Sequence, residues 1–557
     1  MDAKSVRLRA NRLEMRKVLR EPLLLLLIIA VILFLFVFII YPLMSILRLS
    51  FISGERITLD IYMRMFQNRP FINAFRNTMV LGVTVGILSV SLGFLFAYAH
   101  CYINTRFKKL FKVISIIPMV SPPFVLALSA IMLFGQFGLI TRGIFGIRDF
   151  NIYGFRGVAL VQTLTLFPIA YLMLVGLLDK IDPSLEEAAR NMGASRWKTF
   201  RTITLPLMVP GLINAFLIVF IEVLADFTNP MILGGNFHTL ATMIYIQAIA
   251  NFNISAGASI AVILLFISIS LFAFENFYLK NLSFITVTGK SSKVRERINE
   301  RHIVWPIETV CLLITLFVIM FYALIPLGGF LRLMGINNTF TLDHFRFVFQ
   351  LGQRAIRDHT TLAAIATPLT GVLAMIIAFL VARRKFIGKK FIEFTSILAM
   401  AVPGTVIGLG FVSAFNTRPL LLTGTSAIII IVFIVRSLPV GVRSGITALR
   451  QIDPALEEAA QDMGASSGKV LRSVTIPLIA PAFFSGLVYT FVRSMTAVSA
   501  VIFLVTPRTQ LITASIFAQV EQGRFGVASA YSTLLMCMVL AAILIMNGLL
   551  SKFMRKH

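Results

Sequence analysis

Acidic residues are scarce in this chain: 24 Asp and Glu stand against 51 Lys and Arg, and charged residues make up only 13% of the 557. A soluble protein of that length needs far more charge to cover its surface, which excludes the water-soluble class. Cysteine is nearly missing too. Cys101, Cys311 and Cys537 sit singly in apolar segments, so there is no disulfide framework and no CxxC metal site. The six histidines show no HExxH or similar ligand spacing, and no nucleophile–base constellation stands in the polar stretches. An enzyme is not indicated.

What is abundant is apolar, at 58% of residues, and the chain reads as an all-α polytopic membrane protein. A formal net charge of +27 might point to nucleic acid, but in a membrane protein Lys and Arg crowd into cytoplasmic loops, and that source is preferred. The first apolar run, from Pro22 past Tyr41, follows Lys4, Arg7, Arg9, Arg12, Arg16, Lys17 and Arg20. It exceeds the roughly 7–15 apolar residues of a signal peptide and has no small-residue cleavage site. It is expected to stay as a membrane helix with the N-terminus in the cytoplasm.

A span needs roughly 20 apolar residues. Such stretches lie near 22–47, 77–103, 111–135, 157–179, 209–234 and 255–279, and again near 303–328, 361–382, 391–416, 424–448, 480–505 and 525–550. The expected organisation is a basic leader (1–21), a first half (22–280), a linker (281–302), a second half (303–551) and a short tail (552–557), with twelve membrane helices in two sets of six. Charge supports the count independently. The clusters Arg106, Lys108, Lys109, Lys112; Lys280 to Arg301; Arg383, Arg384, Lys385, Lys389, Lys390; and Lys552, Arg555, Lys556 all fall on the cytoplasmic side. Pro122, Pro123 and Pro403 should kink the third and ninth helices. Within the linker, Thr288-Gly289-Lys290-Ser291 looks like the end of a phosphate-binding loop, but Phe284 stands where that loop needs glycine. No ATP-binding domain is expected in this chain.

One polar block occurs twice. Residues 181–195 read IDPSLEEAARNMGAS and residues 452–466 read IDPALEEAAQDMGAS, differing only at Ser184/Ala455, Arg190/Gln461 and Asn191/Asp462. The register continues through Lys198/Lys469, Arg201/Arg472, Thr204/Thr475, Pro206/Pro477 and Pro210/Pro481. Asp182 is placed to cap a helix, and Pro183 suits its first turn. Glu186 and Glu187 lie where the helix dipole favours negative charge. Gly193 can take the left-handed conformation that ends the helix, and Ser195 can cap a second short helix carrying Trp197 and Ile203 until Pro206 stops it. The second copy builds the same unit from Asp453, Pro454, Glu458, Gly464 and Pro477. A hairpin that merely connects two spans requires an amphipathic pattern but not near-identity of both copies. Docking against another protein is the preferred reading.

The block resembles the EAA loop of ABC-importer permeases. Glu187-Ala188-Ala189, Gly193, Ile203, Leu205 and Pro206 match that pattern, as do Glu458-Ala459-Ala460, Gly464, Val474, Ile476 and Pro477. The resemblance implies the type I importer permease fold, with two pseudo-symmetric six-helix bundles in a bacterial cytoplasmic membrane. It implies coupling loops at 181–207 and 452–478, in which Glu186, Glu187, Ala188, Ala189, Gly193 and Pro206, with Glu457, Glu458, Ala459, Ala460, Gly464 and Pro477, meet two copies of a cytoplasmic ATPase subunit. ATP and magnesium would be held by those subunits and no cofactor by this chain. An extracytoplasmic binding protein would deliver the solute.

The stretch ADFTNPMILGGN (225–236), with Thr286 to Lys290, resembles segments of permeases assigned to ferric iron. Thiamine, an organophosphonate or a sugar phosphate remain alternatives, and a secondary transporter or channel is the more distant one. Glu222 and Asp226, four apart, are expected to share one helix face about 18–24 Å up the span from Pro210. Membrane carboxylates usually face an interior pathway, so the pair could attract a cation. Arg436 and Arg493 could instead hold an anion. No metal ligands are assigned.

Overall fold

The computed structural model describes residues 21–53, 56–147, 149–277, 295–464, 473 and 476–556. Among the described residues, eleven helices are long and apolar enough to cross a membrane: Leu24–Ser50, Arg69–Tyr102, Phe124–Ile144, Phe155–Leu178, Arg196–Ala225, Ile254–Asn276, Arg301–Phe330, Gln353–Arg383, Ser426–Gln451, Ile476–Met495 and Phe525–Lys552. Counting the bent pair Lys389–Ala401 and Gly404–Phe415 as one span gives twelve.

That pair meets at 113°, a break rather than the kink expected from sequence. Val402 is extended because the ring of Pro403 disfavours the helical region for the residue before it. The helix expected near 111–135 is also interrupted before its paired prolines. Lys108–Val120 ends at an extended Ser121, and a new helix begins after Pro122-Pro123 at Phe124. The fifth and eleventh spans also differ from expectation, starting earlier and stopping short, at Ala225 and Met495.

The chain folds into two compact units, each drawing on both sequence halves, 22–280 and 303–551. One unit is Met1–Thr58, Gly352–Ala514 and Cys537–His557; the other is Leu59–Leu351 with Ser515–Met536. Each unit thus takes its leading span from the other half of the sequence. In the first, Leu24–Ser50 lies on Gly404–Phe415, where Phe38 and Tyr41 meet the Phe415 ring at 5.7 and 5.9 Å. Gly410 permits the approach, since a Cβ there would stand 3.0 Å from Ile46 and 3.1 Å from the Pro42 carbonyl. In the second, Arg301–Phe330 lies on the helix after Pro123. Ser129 donates to the Phe321 carbonyl at 2.6 Å, and Ser121 bonds the Tyr322 hydroxyl at 2.7 Å.

Inside a bilayer helices gain nothing from hiding apolar surface from water, so close packing of small residues takes over. Helices Arg69–Tyr102 and Phe155–Leu178 touch where Gly93 faces Ala170, and helices Gln353–Arg383 and Ser426–Gln451 touch where Ala374 and Ala378 face Gly441 and Gly445. A Cβ on Gly445 would lie 2.7 Å from that of Ala378. Gly445→Val should therefore separate the pair and cost about 1–3 kcal/mol, read as a lower unfolding temperature of the nanodisc-embedded protein; Thr447→Val, on the exposed side of the same helix, should leave it unchanged.

Candidate functional site

The repeated block folds into a helical hairpin in the first copy, and the second copy builds the same capped first helix and left-handed glycine. Asp182 accepts the Ser184 amide at 3.0 Å and caps helix Pro183–Asn191. The helix ends in a Schellman turn: the Ala194 amide reaches the Ala189 carbonyl at 3.0 Å and the Gly193 amide the Arg190 carbonyl at 2.9 Å, with Gly193 at φ +85°. Ser195 then accepts the Lys198 amide at 3.2 Å and starts the next helix. In the second copy Asp453 accepts the Ala455 amide at 3.0 Å, helix Pro454–Asp462 follows, and Gly464 sits at φ +82°. The caps and left-handed glycines are where the sequence puts them. Residues 465–472 and 474–475, including Val474, lie outside the described residues, as do the side chains of Glu457 and Glu458 on that helix.

Pro206 does not stop the helix that Ser195 begins. A proline ring clashes with the carbonyl four residues back, and the wide π-type turn Phe200–Thr204 opens the ladder at that point. The helix consequently runs without a joint from Arg196 to Ala225, from the hairpin into the membrane span.

The residues of the block divide by burial. Glu187 is half-buried, and Ala188, Gly193 and Pro206 are exposed; Glu186 and Ala189 are buried. One carboxylate oxygen of Glu186 accepts both the Tyr102 and the Thr204 hydroxyls at 2.6 Å. The other stands 3.6 Å from Nε of Arg295, an ion pair rather than a hydrogen bond. Glu186 therefore anchors the hairpin to its own bundle, while several large apolar side chains stand exposed on it. Met192 is 83% exposed and Trp197 69%; in the second copy Met463 is 82% exposed. Leu185 and its counterpart Leu456 are exposed beside them. Of the second copy's remaining candidates, Ala459 is exposed, Ala460 is half-buried, and Pro477 is half-buried in the first turn of Ile476–Met495.

Of the expected pathway residues, Asp226 is placed differently from expectation. Glu222 is half-buried on helix Leu205–Ala225, but Asp226 is not on that helix. Its backbone is extended (ψ 111°), so the two carboxylates share no helix face. Asp226 instead caps the short helix Thr228–Leu233, accepting the Thr228 amide at 2.9 Å and the Asn229 amide at 3.3 Å. Its second oxygen accepts Asn229 Nδ2 at 2.7 Å and Gln162 Nε2 at 2.8 Å. The signal was present as Asp226-x-Thr-Asn-Pro230, a cap-and-turn sequence. Arg436 donates to the Val402 carbonyl at 3.0 Å, so it satisfies the backbone at the broken span. Arg493 is half-buried in the last turn of Ile476–Met495.

The sequence matches the family described as binding-protein-dependent transport system inner membrane component over residues 89–280 and again over 371–556. The chain belongs to that family. This permease is 38% identical over 517 residues to the ferric transport system permease protein FbpB of Actinobacillus pleuropneumoniae, covering 91% of this chain and 75% of the relative. It is 37% identical over 484 residues to the putative ferric transport system permease protein FbpB 1 of Haemophilus influenzae, covering 85% and 77%. A bacterial ABC transporter involved in import of the acidic polysaccharide alginate is similar to 48% of the permease chain and to 99% of the solved chain, at 17% identity and a TM-score of 0.41. Two family matches in one chain make this a fused permease carrying both transport domains.

Two outcomes follow from these geometries. Gly193→Val forces a β-branched residue to φ +85° and should cost the hairpin upwards of about 1–2 kcal/mol, whereas Gly193→Asn, which tolerates that region, should cost much less; amide exchange across 185–194 measures both. Asp226→Asn replaces one accepting oxygen by an NH2 donor that faces either the side-chain amides of Gln162 and Asn229 or the backbone amides of Thr228 and Asn229, and should lower stability by about 1–3 kcal/mol in thermal unfolding. Unchanged stability with weakened solute uptake would return Asp226 to the pathway.

Proposed function

We propose that this permease carries ferric iron across the bacterial cytoplasmic membrane, with both termini in the cytoplasm, as part of an ATP-driven, binding-protein-dependent importer. The observation that carries the cargo is the 38% identity, over 91% of the chain, with a ferric transport system permease. ATP and magnesium belong to two copies of a separate ATPase subunit, each seated on one hairpin, and a binding protein presents iron at the outer mouth.

Mechanically, the hairpins suit that task. Exposed Met192 and Leu185, and Met463 and Leu456, offer apolar knobs to a groove in each ATPase subunit. Glu186 ties the first hairpin to its bundle, and the unbroken helix Arg196–Ala225 continues from it into the membrane. A push on the knobs is thus delivered to the span rather than absorbed by a flexible loop. When ATP closes the ATPase pair, both hairpins are pushed together and the bundles rock between outward-facing and inward-facing states.

Proteoliposomes holding the permease, its ATPase subunit and its binding protein should accumulate radioactive iron only with ATP, and should not accumulate thiamine, an organophosphonate or a sugar phosphate. Met192→Glu with Met463→Glu should lower that uptake by an order of magnitude or more, since charging an apolar anchor costs about 2 kcal/mol or more. Accumulation of one of the other solutes in place of iron, or transport that runs without ATP in the double variant, would refute the assignment.

A further inference from the structure

The repeat makes the two hairpins nearly identical, yet two of the cations in the first have no counterpart in the second. Arg190 is replaced by Gln461, one of the three differences in the block, and Arg196 by Ser467 just beyond it. The linker between the two halves supplies partners for these very residues. Glu296 pairs with Arg190 at 3.1 Å and Glu300 with Arg196 at 2.8 Å. Between them, Ile298 lies alongside Ile103 as a short parallel bridge. Its amide donates to the Tyr102 carbonyl at 2.8 Å, and its carbonyl accepts the Asn104 amide at 3.2 Å. Asn104 also donates to Asn299 at 2.9 Å.

Arg295 carries the greatest weight. Its side chain is 12% exposed and that of Glu186 is 9% exposed, so their ion pair is shielded, whereas Glu296 at 68% is left largely to water and screened. The guanidinium lies 4.3 Å above the centre of the Tyr102 ring. It also donates to the carbonyls of Leu178 at 3.1 Å and Ile181 at 3.0 Å, where helix Phe155–Leu178 has ended and the hairpin has not yet begun. The second half solves the same problem from within. There Arg383, the last residue of helix Gln353–Arg383, donates to the Ile452 carbonyl, the repeat position of Ile181, at 3.1 Å. The corresponding helix of the first half ends in Tyr102, which carries no cation, and the linker brings one in.

We propose that residues 295–300 form a strap that fixes the first docking hairpin to its bundle, with Arg295 as the positioning residue, so that the linker is a working part of one coupling loop as well as a tether. The role in coupling rests on the importer reading; the strap itself does not.

The test uses the full chain in nanodiscs and compares Arg295→Ala, Arg295→Lys and Arg297→Ala, the last removing an exposed neighbouring cation. Amides of 185–194 should exchange about tenfold faster in Arg295→Ala, by an intermediate factor in Arg295→Lys, and at the parent rate in Arg297→Ala. Those of 455–463 should not change. Equal protection in Arg295→Ala and parent, or equal loosening of both hairpins, would overturn the strap. Should Arg295→Ala fail to accumulate, Arg295→Lys against Arg297→Ala decides the same question. In proteoliposomes with ATPase and binding protein, Arg295→Ala should raise the ATP consumed per iron severalfold. If the parent itself shows no ATP-dependent uptake, the importer reading falls, and the exchange rates alone decide the strap.

Discussion

A bilayer offers no water to a peptide N–H or C=O, so every break in a membrane helix must find its hydrogen bonds within the protein. That constraint accounts for two of the charged side chains in the spans. The break at Val402-Pro403 exposes a carbonyl, and Arg436 takes it. The end of the fifth span at Ala225 frees the amides of Thr228 and Asn229, and Asp226 takes them. Asp226 and Arg436, which look like ligands for a passing ion when read along the sequence, here bond the backbone. Charge inside the membrane is costly, and this protein places part of it where the helices are discontinuous.

The second organising fact is close approach. Glycine and alanine line the seams between the second and fourth spans of each half, letting backbones meet where no hydrophobic drive separates protein from lipid. The leading spans follow the same logic, each seated on the helix beyond a proline break, through Gly410 in one unit and Ser121 and Ser129 in the other. Breaking the third and ninth spans creates the short helices on which those leading spans rest. Proline thereby determines packing as well as shape.

At the hairpins the structure separates two duties that the motif runs together. Glu186 faces inward and holds, while methionine, leucine and tryptophan face outward. The continuous helix beyond Ser195 joins the outer face to the span, and among the described residues the linker closes over the inner side of the first copy. A pseudo-symmetric machine built from one chain has a single linker, and its two loops cannot be held in the same way.

The sequence alone determined the class, a count of spans matched by the eleven or, with the bent pair, twelve apolar helices among the described residues, the first hairpin, and the capped first helix of the second. Apolar runs of sufficient length, cationic loops and two copies of Asp-Pro with a helix-ending glycine are local signals, and local physics reads them directly. Tertiary structure decided the rest. Which unit each leading span joins depends on shape matching at Gly410 and Ser129, residues unremarkable in their own segments. Whether Glu222 and Asp226 share a face depended on where a helix stopped, and the Asp226 side chain found partners as far away as Gln162. Arg295 looked like one more linker cation because the carbonyls and ring that bind it come from other parts of the chain. Long-range partners leave no periodicity in a sequence, so only the folded chain could show which polar groups they occupy.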